Sequence, residues 1–430
     1  MFADIDLASA ETWWPATLAA YVTVVMAVAF LGIALRCLRI AKEPLAEGMG
    51  ERPNRQTFLW VILAVVGSRF LVYLWAWLGH CLSLGAWFWP WHSFGALWVQ
   101  WDAPHYLKLA EQWYMAPGVG GESDHLMLVF FPLFPMLLRG LRALFAGNTL
   151  AAAAALNLVC GAGAGCLLFR ITARRYGQRK AWLALAYLLL NPFSLFLNAP
   201  YPEALFLLLT LAAIDAASQK RYLWAGLWGA LSAFTRMLGL VAAGVILLEG
   251  LRHWLGRGSH RWRLCARVIA GALMVAMGFG AYLLLNRQIT GAPFTFLDYQ
   301  RQNWSQQFGS FWNSAYTTGL YMVRDLGQPD TFFGTWLPQA ITMAAVPAML
   351  ALRQNRLPLP WAAYAWAYLF VALAPTWLLS GPRYLMALAV LPILQCLLTD
   401  RRWFHALFLS LQAALLLVYT VLYAVVSCVL

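Results

Sequence analysis

The segment QWDAPHYLKLAEQWY at 100–114 gathers Asp102, His105, Lys108 and Glu111 among Trp101, Tyr106, Trp113 and Tyr114. A carboxylate placed beside a hydroxyl can take its proton as the oxygen becomes a nucleophile, and Asp102 is the candidate for that role. Asp followed by Ala103-Pro104 equally fits a helix N-cap. The two readings are compatible, because the helix dipole keeps a capping carboxylate ionised. His105 lies three residues on, on the same helical face. It reads as a contact to a phosphate, as a support for Asp102, or as an ordinary interfacial aromatic.

Other polar residues fall where apolar segments end. Glu203, in NAPYPEALF at 198–206, is either a working group or a first-turn acid favoured by the dipole. Arg236, in FTRMLGL at 234–240, sits between two apolar segments, a costly place for a charge unless it faces a cavity or an anion or snorkels to the interface. Arg383 in SGPRYL at 380–385 invites the same two readings, with Tyr384 as a hydroxyl donor beside it. Arg69 lies deeper in an apolar stretch and receives no role. A metal site is disfavoured, since His80, His92 and His125 show no ligand spacing and Cys37, Cys81, Cys160, Cys166, Cys265, Cys396 and Cys428 are scattered, mostly in apolar stretches. No cofactor is expected, and divalent-metal dependence stays open.

The elements that position these residues are membrane helices. Of 430 residues, 62% are apolar and 11% charged, too few polar groups to cover a soluble protein of this size. The apolar residues come in blocks such as 181–199 and 404–430, long enough to cross a hydrocarbon layer as a helix. The expected class is an all-α polytopic membrane protein in one domain, 1–430, with spans near 17–37, 57–79, 148–169, 181–198, 203–218, 222–235, 237–251, 268–286, 333–352, 360–379, 383–398 and 404–428. The hairpin over 222–251 is short, with a break expected at Gly239. The acidic start, with Asp4, Asp6 and Glu11, lacks the basic region of a cleavable signal, so the first helix reads as a retained span.

Charge separates the connecting loops. Twenty-one of the 30 basic residues fall on one side of this scheme, including Arg36, Arg52, Arg174, Arg175, Lys220, Arg252, Arg257, Arg353 and Arg401. By the positive-inside rule that side is cytoplasmic. The net charge of +13 therefore reflects topology and not a nucleic-acid surface. The opposite side receives the two longest loops, 80–147 and 287–332, with Asp102, Glu111, Glu122, Asp124, Glu203 and Asp298. Residues 100–114 read as an interfacial helix, and VFFPLFPMLLRGLRALF at 129–145 as a bent or re-entrant segment. Gly161–Gly165 reads as close helix packing, not a phosphate loop; with no nucleotide-binding motif, direct use of ATP or a nucleotide-sugar is not expected.

These motifs resemble a known family. WDAPHYLKLAEQWY followed by FFPLFP is similar to the WD-x-x-H-[FY]…AE-x-x-Y…FFP-x-FP signature of PIG-V-type mannosyltransferases, which are GT-C glycosyltransferases. NPFSLFLNAPYPEALF at 191–206 and WAGLWGALSAFTRMLGL at 224–240 resemble its further motifs, so the likeness spans about 100–240. Gln112-Trp113 stand where the eukaryotic motif has His-Gly, and an additional span precedes the usual first one, which leaves the acceptor unassigned.

The resemblance implies a GT-C-type bundle of about 12 membrane helices with interfacial helices on the outer face. It also implies a catalytic aspartate, Asp102, that serves a polyprenyl-phosphate sugar, with His105, Tyr201, Glu203 and Arg236 at matching motif positions. The residue reading adds Arg383 and Tyr384, and Trp101 and Tyr114 as a lining for the sugar, to the donor- or substrate-binding candidates. The expected reaction is an inverting single displacement of a mannosyl or other hexosyl unit from a dolichyl or undecaprenyl phosphate to a glycolipid or envelope-glycan acceptor. The compact chain fits a prokaryotic cytoplasmic membrane with an outward-facing site; an endoplasmic-reticulum membrane with a luminal site is the alternative. A polyprenyl-linked sugar flippase, a GT-C transferase of arabinose or aminoarabinose, and a noncatalytic scaffold are the rival readings.

Overall fold

The computed structural model describes residues 7–42, 53–114, 124–256 and 261–425, so Arg52, Glu122, Arg257 and Cys428 lie outside the described residues. Every regular element among them is helical, with one isolated bridge, Phe308 to Pro375. The all-α expectation holds. Seven helices are long and apolar enough to cross a membrane. They include α1 (Leu7–Leu38), α2 (Arg55–Leu84) and α6 (Thr149–Tyr176), which precedes the shorter α7 (Gln178–Leu189). Local signals set their ends. Asn54 and Asn148 cap the Thr57 and Ala151 amides, and Gly85, at φ 62°, takes the left-handed position that stops α2.

Between α2 and α6 the outer loop is itself helical, with α3 (Pro90–Trp98), α4 (Ala103–Gln112) and α5 (Leu133–Leu141), the last ending in a bend at Arg142–Phe145. After α7 come α8 (Glu203–Ser218), α9 (Tyr222–Thr235), α10 (Ala242–Leu255) and the long α11 (Arg261–Thr290). The second outer loop folds as α12 (Thr295–Trp304) and α13 (Phe311–Arg324), which packs on α1 where Gly319 meets Pro15. A short α14 (Pro329–Thr331) passes through a π-helical turn into α15 (Leu337–Arg353). The chain ends with α16 (Leu359–Ala372), α17 (Gly381–Met386), α18 (Leu391–Cys396) and α19 (Arg402–Ala424).

Three expected spans differ in detail. The helix expected over 181–198 stops at Leu189, and its end is a 3-10 turn at Ser194–Leu197. The span expected over 383–398 is two six-residue helices. The break in the 222–251 hairpin is at Arg236, whose backbone is extended, with Gly239 folded so closely on Ser232 that a Cβ there would lie 2.3 Å from its carbonyl carbon. All three irregular stretches sit in the protein interior. Residues such as Leu195, Phe196, Leu385 and Ile393 are buried, whereas α1, α2, α11 and α19 carry many of the exposed apolar side chains. Non-helical backbone survives at membrane depth only where protein, not lipid, surrounds it.

The helices run between two layers of turns. In one layer Lys180 pairs with Asp400 at 2.8 Å, Arg353 donates to Leu398 O at 2.8 Å and Arg36 donates to Gln354 O at 2.7 Å. Asp400 is held below the usual carboxylate range by Lys180 and then Arg356. This is the basic layer that the charge pattern groups together. The opposite layer holds α3, α4 and α12 and the N-terminal end of α8. On the flank, α9 and α11 nearly touch, and a Cβ on Gly278 would lie 2.1 Å from Ala230 O. Glycine permits that approach.

Candidate active site

Asp102 occupies the N-cap position of α4, yet its side chain makes no cap bond. Its Oδ2 instead accepts from Arg383 Nη1 at 3.0 Å. Of the two readings of this residue, position follows the cap and chemistry follows the site. The turn before it is held from α8's approach: Tyr201 accepts from the Asp102 amide at 3.1 Å and donates to Gln100 O at 2.9 Å. Within that turn Trp101 holds φ at 55°, a conformation that costs a non-glycine residue energy and recurs at functional sites.

Arg383 links Asp102 to a second buried pair. Glu203, 1% exposed at the first turn of α8, accepts from Arg236 Nη1 at 2.7 Å. The same oxygen lies 3.3 Å from Arg383 Nε, an ion-pair contact without hydrogen-bond geometry. Two guanidinium groups thus share two carboxylates. Tyr384 separates the cations, its ring centre 4.6 Å from Arg236 Cζ and 5.2 Å from Arg383 Cζ. Cation–π attraction explains how they tolerate one another. Beyond the hydroxyl that the sequence singles out, the ring of Tyr384 thus contacts both cations. Arg383 also lies over Tyr201, 4.9 Å from the ring centre.

An open cleft of about 1260 Å³ adjoins this quartet, and Asp102, Tyr106, Arg236, Arg383 and Tyr384 line its polar end. Its apolar lining includes Met237, Leu238, Val371, Leu378 and Leu379. Gln300 and Trp304 of α12, with Gln306 just beyond it, close the outer side. Glu203 supports the cleft from beneath and does not line it. Burial, and then the Glu203 charge, pushes the Tyr106 phenol far up, so it stays protonated.

The remaining candidates lie apart from the cleft surface. Tyr114 donates to Phe130 O inside an aromatic cluster with Tyr282 and Phe296, and Trp101 is 36% exposed; neither lines the cleft. Tyr114 thus braces the loop, while Trp101 stands partly exposed in the turn before α4. His105 stacks on Phe130 with ring centres 5.0 Å apart, and burial lowers its pKa against the pull of Asp102. Phe130 itself lines the cleft, so His105 acts one residue removed. Glu111 accepts from the Thr149 hydroxyl at 2.7 Å and ties α4 to α6. Arg69 donates to Leu189 O at 2.9 Å and to Ser194 O, satisfying the carbonyls freed where α7 ends. Among the described residues no three His, Cys, Asp or Glu side chains converge as metal ligands would.

Sequence reasoning missed Gln300, Trp304, Gln306 and Tyr106 as cleft residues. For the first three the signal was present but weak: an aromatic residue and amides at a spacing of four to six in the second outer loop.

Residues 90–288 match the family model described as mannosyltransferase (PIG-V). The GPI alpha-1,6-mannosyltransferase 2 of Mus musculus is 31% identical over 205 residues, covering 43% of this chain and 39% of that protein. Those of Cricetulus griseus and Homo sapiens are 34% and 31% identical, each match covering 34% of this chain and 30% of the relative. The chain thus spans well under half the length of the relatives it matches. The likeness drawn from the motifs over 100–240 is borne out, and the matched region carries Asp102, Tyr201, Glu203 and Arg236 but stops short of Arg383.

Proposed function

We propose, from the mannosyltransferase (PIG-V) match and from the cleft at Asp102, that this membrane protein transfers a mannosyl unit from a polyprenyl-phosphate donor to a glycolipid hydroxyl. The observation that carries the reading is the pairing of one reachable carboxylate with two guanidinium groups beside an apolar wall. Oδ2 of Asp102 is engaged by Arg383, while no hydrogen bond to Oδ1 is seen among the described residues. That oxygen takes the acceptor proton, the acceptor oxygen bonds to the anomeric carbon, and the carbon–oxygen bond to phosphate breaks. The leaving phosphate keeps the electron pair.

Arg236 and Arg383 each commit one nitrogen to a hydrogen-bonded carboxylate and retain further N–H donors toward the cleft. Charge-assisted bonds from such forks suit a phosphate, and they strengthen as charge develops on the leaving oxygen. The apolar side formed by Met237, Leu238 and Leu379 suits an isoprenoid. A double displacement needs two carboxylates at the sugar. Asp102 is the only carboxylate lining the cleft among the described residues, which favours single displacement with inversion. An α product, as in the relatives' name, then follows from a β-linked donor. Asp102 faces away from the cytoplasm if the basic layer is cytoplasmic.

The test is transfer of mannose from a short-chain polyprenyl-phosphate mannose by the purified protein. Asp102→Asn is expected to lower turnover by about 10²-fold or more, the usual worth of a positioned base. Undiminished turnover in that variant removes Asp102 from the mechanism.

A further inference from the structure

A second cavity lies at the other end of α8. Glu203 opens that helix and Ser218 closes it, a separation of roughly 22 Å at helical rise. The cavity, an open one of about 840 Å³ including its mouth, lies between the C-terminal ends of α6, α8 and α10 and the start of α16, all in the basic layer. Four cationic side chains line it, Arg174, Arg175, Lys220 and Arg252, against two carboxylates, Asp215 and Glu249.

Both carboxylates are already occupied. Asp215 accepts from Arg170, from Arg174 at 3.0 Å and from Gln219 at 2.6 Å. Glu249 accepts from Arg252 at 3.2 Å. The wall therefore carries an excess of two positive charges, centred on Arg175 and Lys220. Basic residues at helix C-termini complement the dipoles there, which accounts for some of this charge. It does not account for Ser218, a cavity-lining residue whose hydroxyl is buried and has no hydrogen-bond partner among the described residues. A buried donor left unpaired costs free energy, and an acceptor oxygen in the cavity would satisfy it. Lys220 holds φ at 65°, a position where a helix end normally places glycine, so a charged side chain stands where a smaller residue would fit the turn better.

We infer that this cavity binds a phosphate group, with Arg175 and Lys220 supplying the charge and Ser218 a hydrogen bond. A basic pocket between membrane helices at the interface suits the headgroup of an anionic lipid, and the same contacts suit a free phosphate. The inference is independent of the reaction assigned to the opposite end of the molecule.

Native mass spectrometry of the full chain in detergent, titrated with phosphatidylglycerol and in parallel with phosphatidylcholine, reads the site directly. Preferential retention of phosphatidylglycerol is expected, weakened about tenfold or more in Arg175→Gln/Lys220→Gln, since two charge-assisted contacts are lost. Arg175→Lys/Lys220→Arg should retain it. Inorganic pyrophosphate is the second arm. Displacement of the lipid by pyrophosphate, with a raised melting temperature from pyrophosphate alone, assigns the site to free phosphates; lipid retention unaffected by pyrophosphate assigns it to headgroups. Equal retention in wild type and the Gln pair, or no binding of either probe, overturns the inference. Should the Gln pair fail to fold, the exposed Lys220→Gln alone supplies the comparison.

Discussion

Asp102 and Glu203 are both carboxylates paired with arginine, and their different burial assigns them different work. The Asp102 side chain is 31% exposed and lines the cleft, whereas that of Glu203 is 1% exposed and serves two guanidinium groups. Glu203→Ala should therefore lower stability by about 3–5 kcal/mol, the usual cost of leaving a buried charge unpaired, read as a fall in melting temperature in detergent. Asp102→Asn should leave that temperature nearly unchanged while turnover falls. His105 adds a pH dependence. Its lowered pKa means that the unfolded chain takes up a proton at higher pH than the folded one. Stability is then full above the unfolded value of about 6.5 and declines as pH falls below it. Replacing the ring by His105→Phe should flatten that acid limb in melting curves between pH 7 and 5. At this scale the sequence was informative where a charge interrupts apolar residues, as at Arg236 and Arg383. It was silent on Tyr384 as a spacer, because ring faces leave no trace in residue type.

Elements were legible where their length and caps are local. Asn54, Asn148 and Gly85 sit at helix ends as local caps, near the ends expected for the spans over 57–79 and 148–169. The failures came at α7, α17 and α18, where the apolar composition continues but the helix does not. Inside a bundle, neighbouring side chains satisfy a broken backbone, as Arg69 does for Leu189 and Ser194, and composition cannot report that. Close packing of α9 on α11 is likewise a tertiary fact. Gly278→Val should push the helices apart and destabilise by about 1–3 kcal/mol, whereas Gly280→Val, where an added Cβ meets nothing, should not; paired melting curves decide. α12 covers the cleft from the second outer loop, and Trp304 lines it. Trp304→Ala should raise KM for the acceptor or donor more than it lowers kcat, an outcome that steady-state kinetics separates.

For the whole molecule, the charge asymmetry along the sequence anticipated the two layers of turns, since Arg356 and Lys180 do meet at Asp400. Among the described residues seven helices have the length and apolarity to span a membrane, and the other expected spans are shorter or interrupted. Cysteine labelling tests the arrangement: probes at positions 304 and 220 should react from opposite sides of sealed vesicles.

Two positive and two negative groups leave the resting quartet at formal neutrality. In the proposed reaction, once Asp102 has accepted the acceptor's proton, that tally rises by one in the positive direction, and a spent lipid phosphate would be held correspondingly harder. Discharge of the proton to water restores the balance and loosens the hold. In the proposed reaction, release of the used carrier is thereby tied to the whereabouts of a single hydrogen ion.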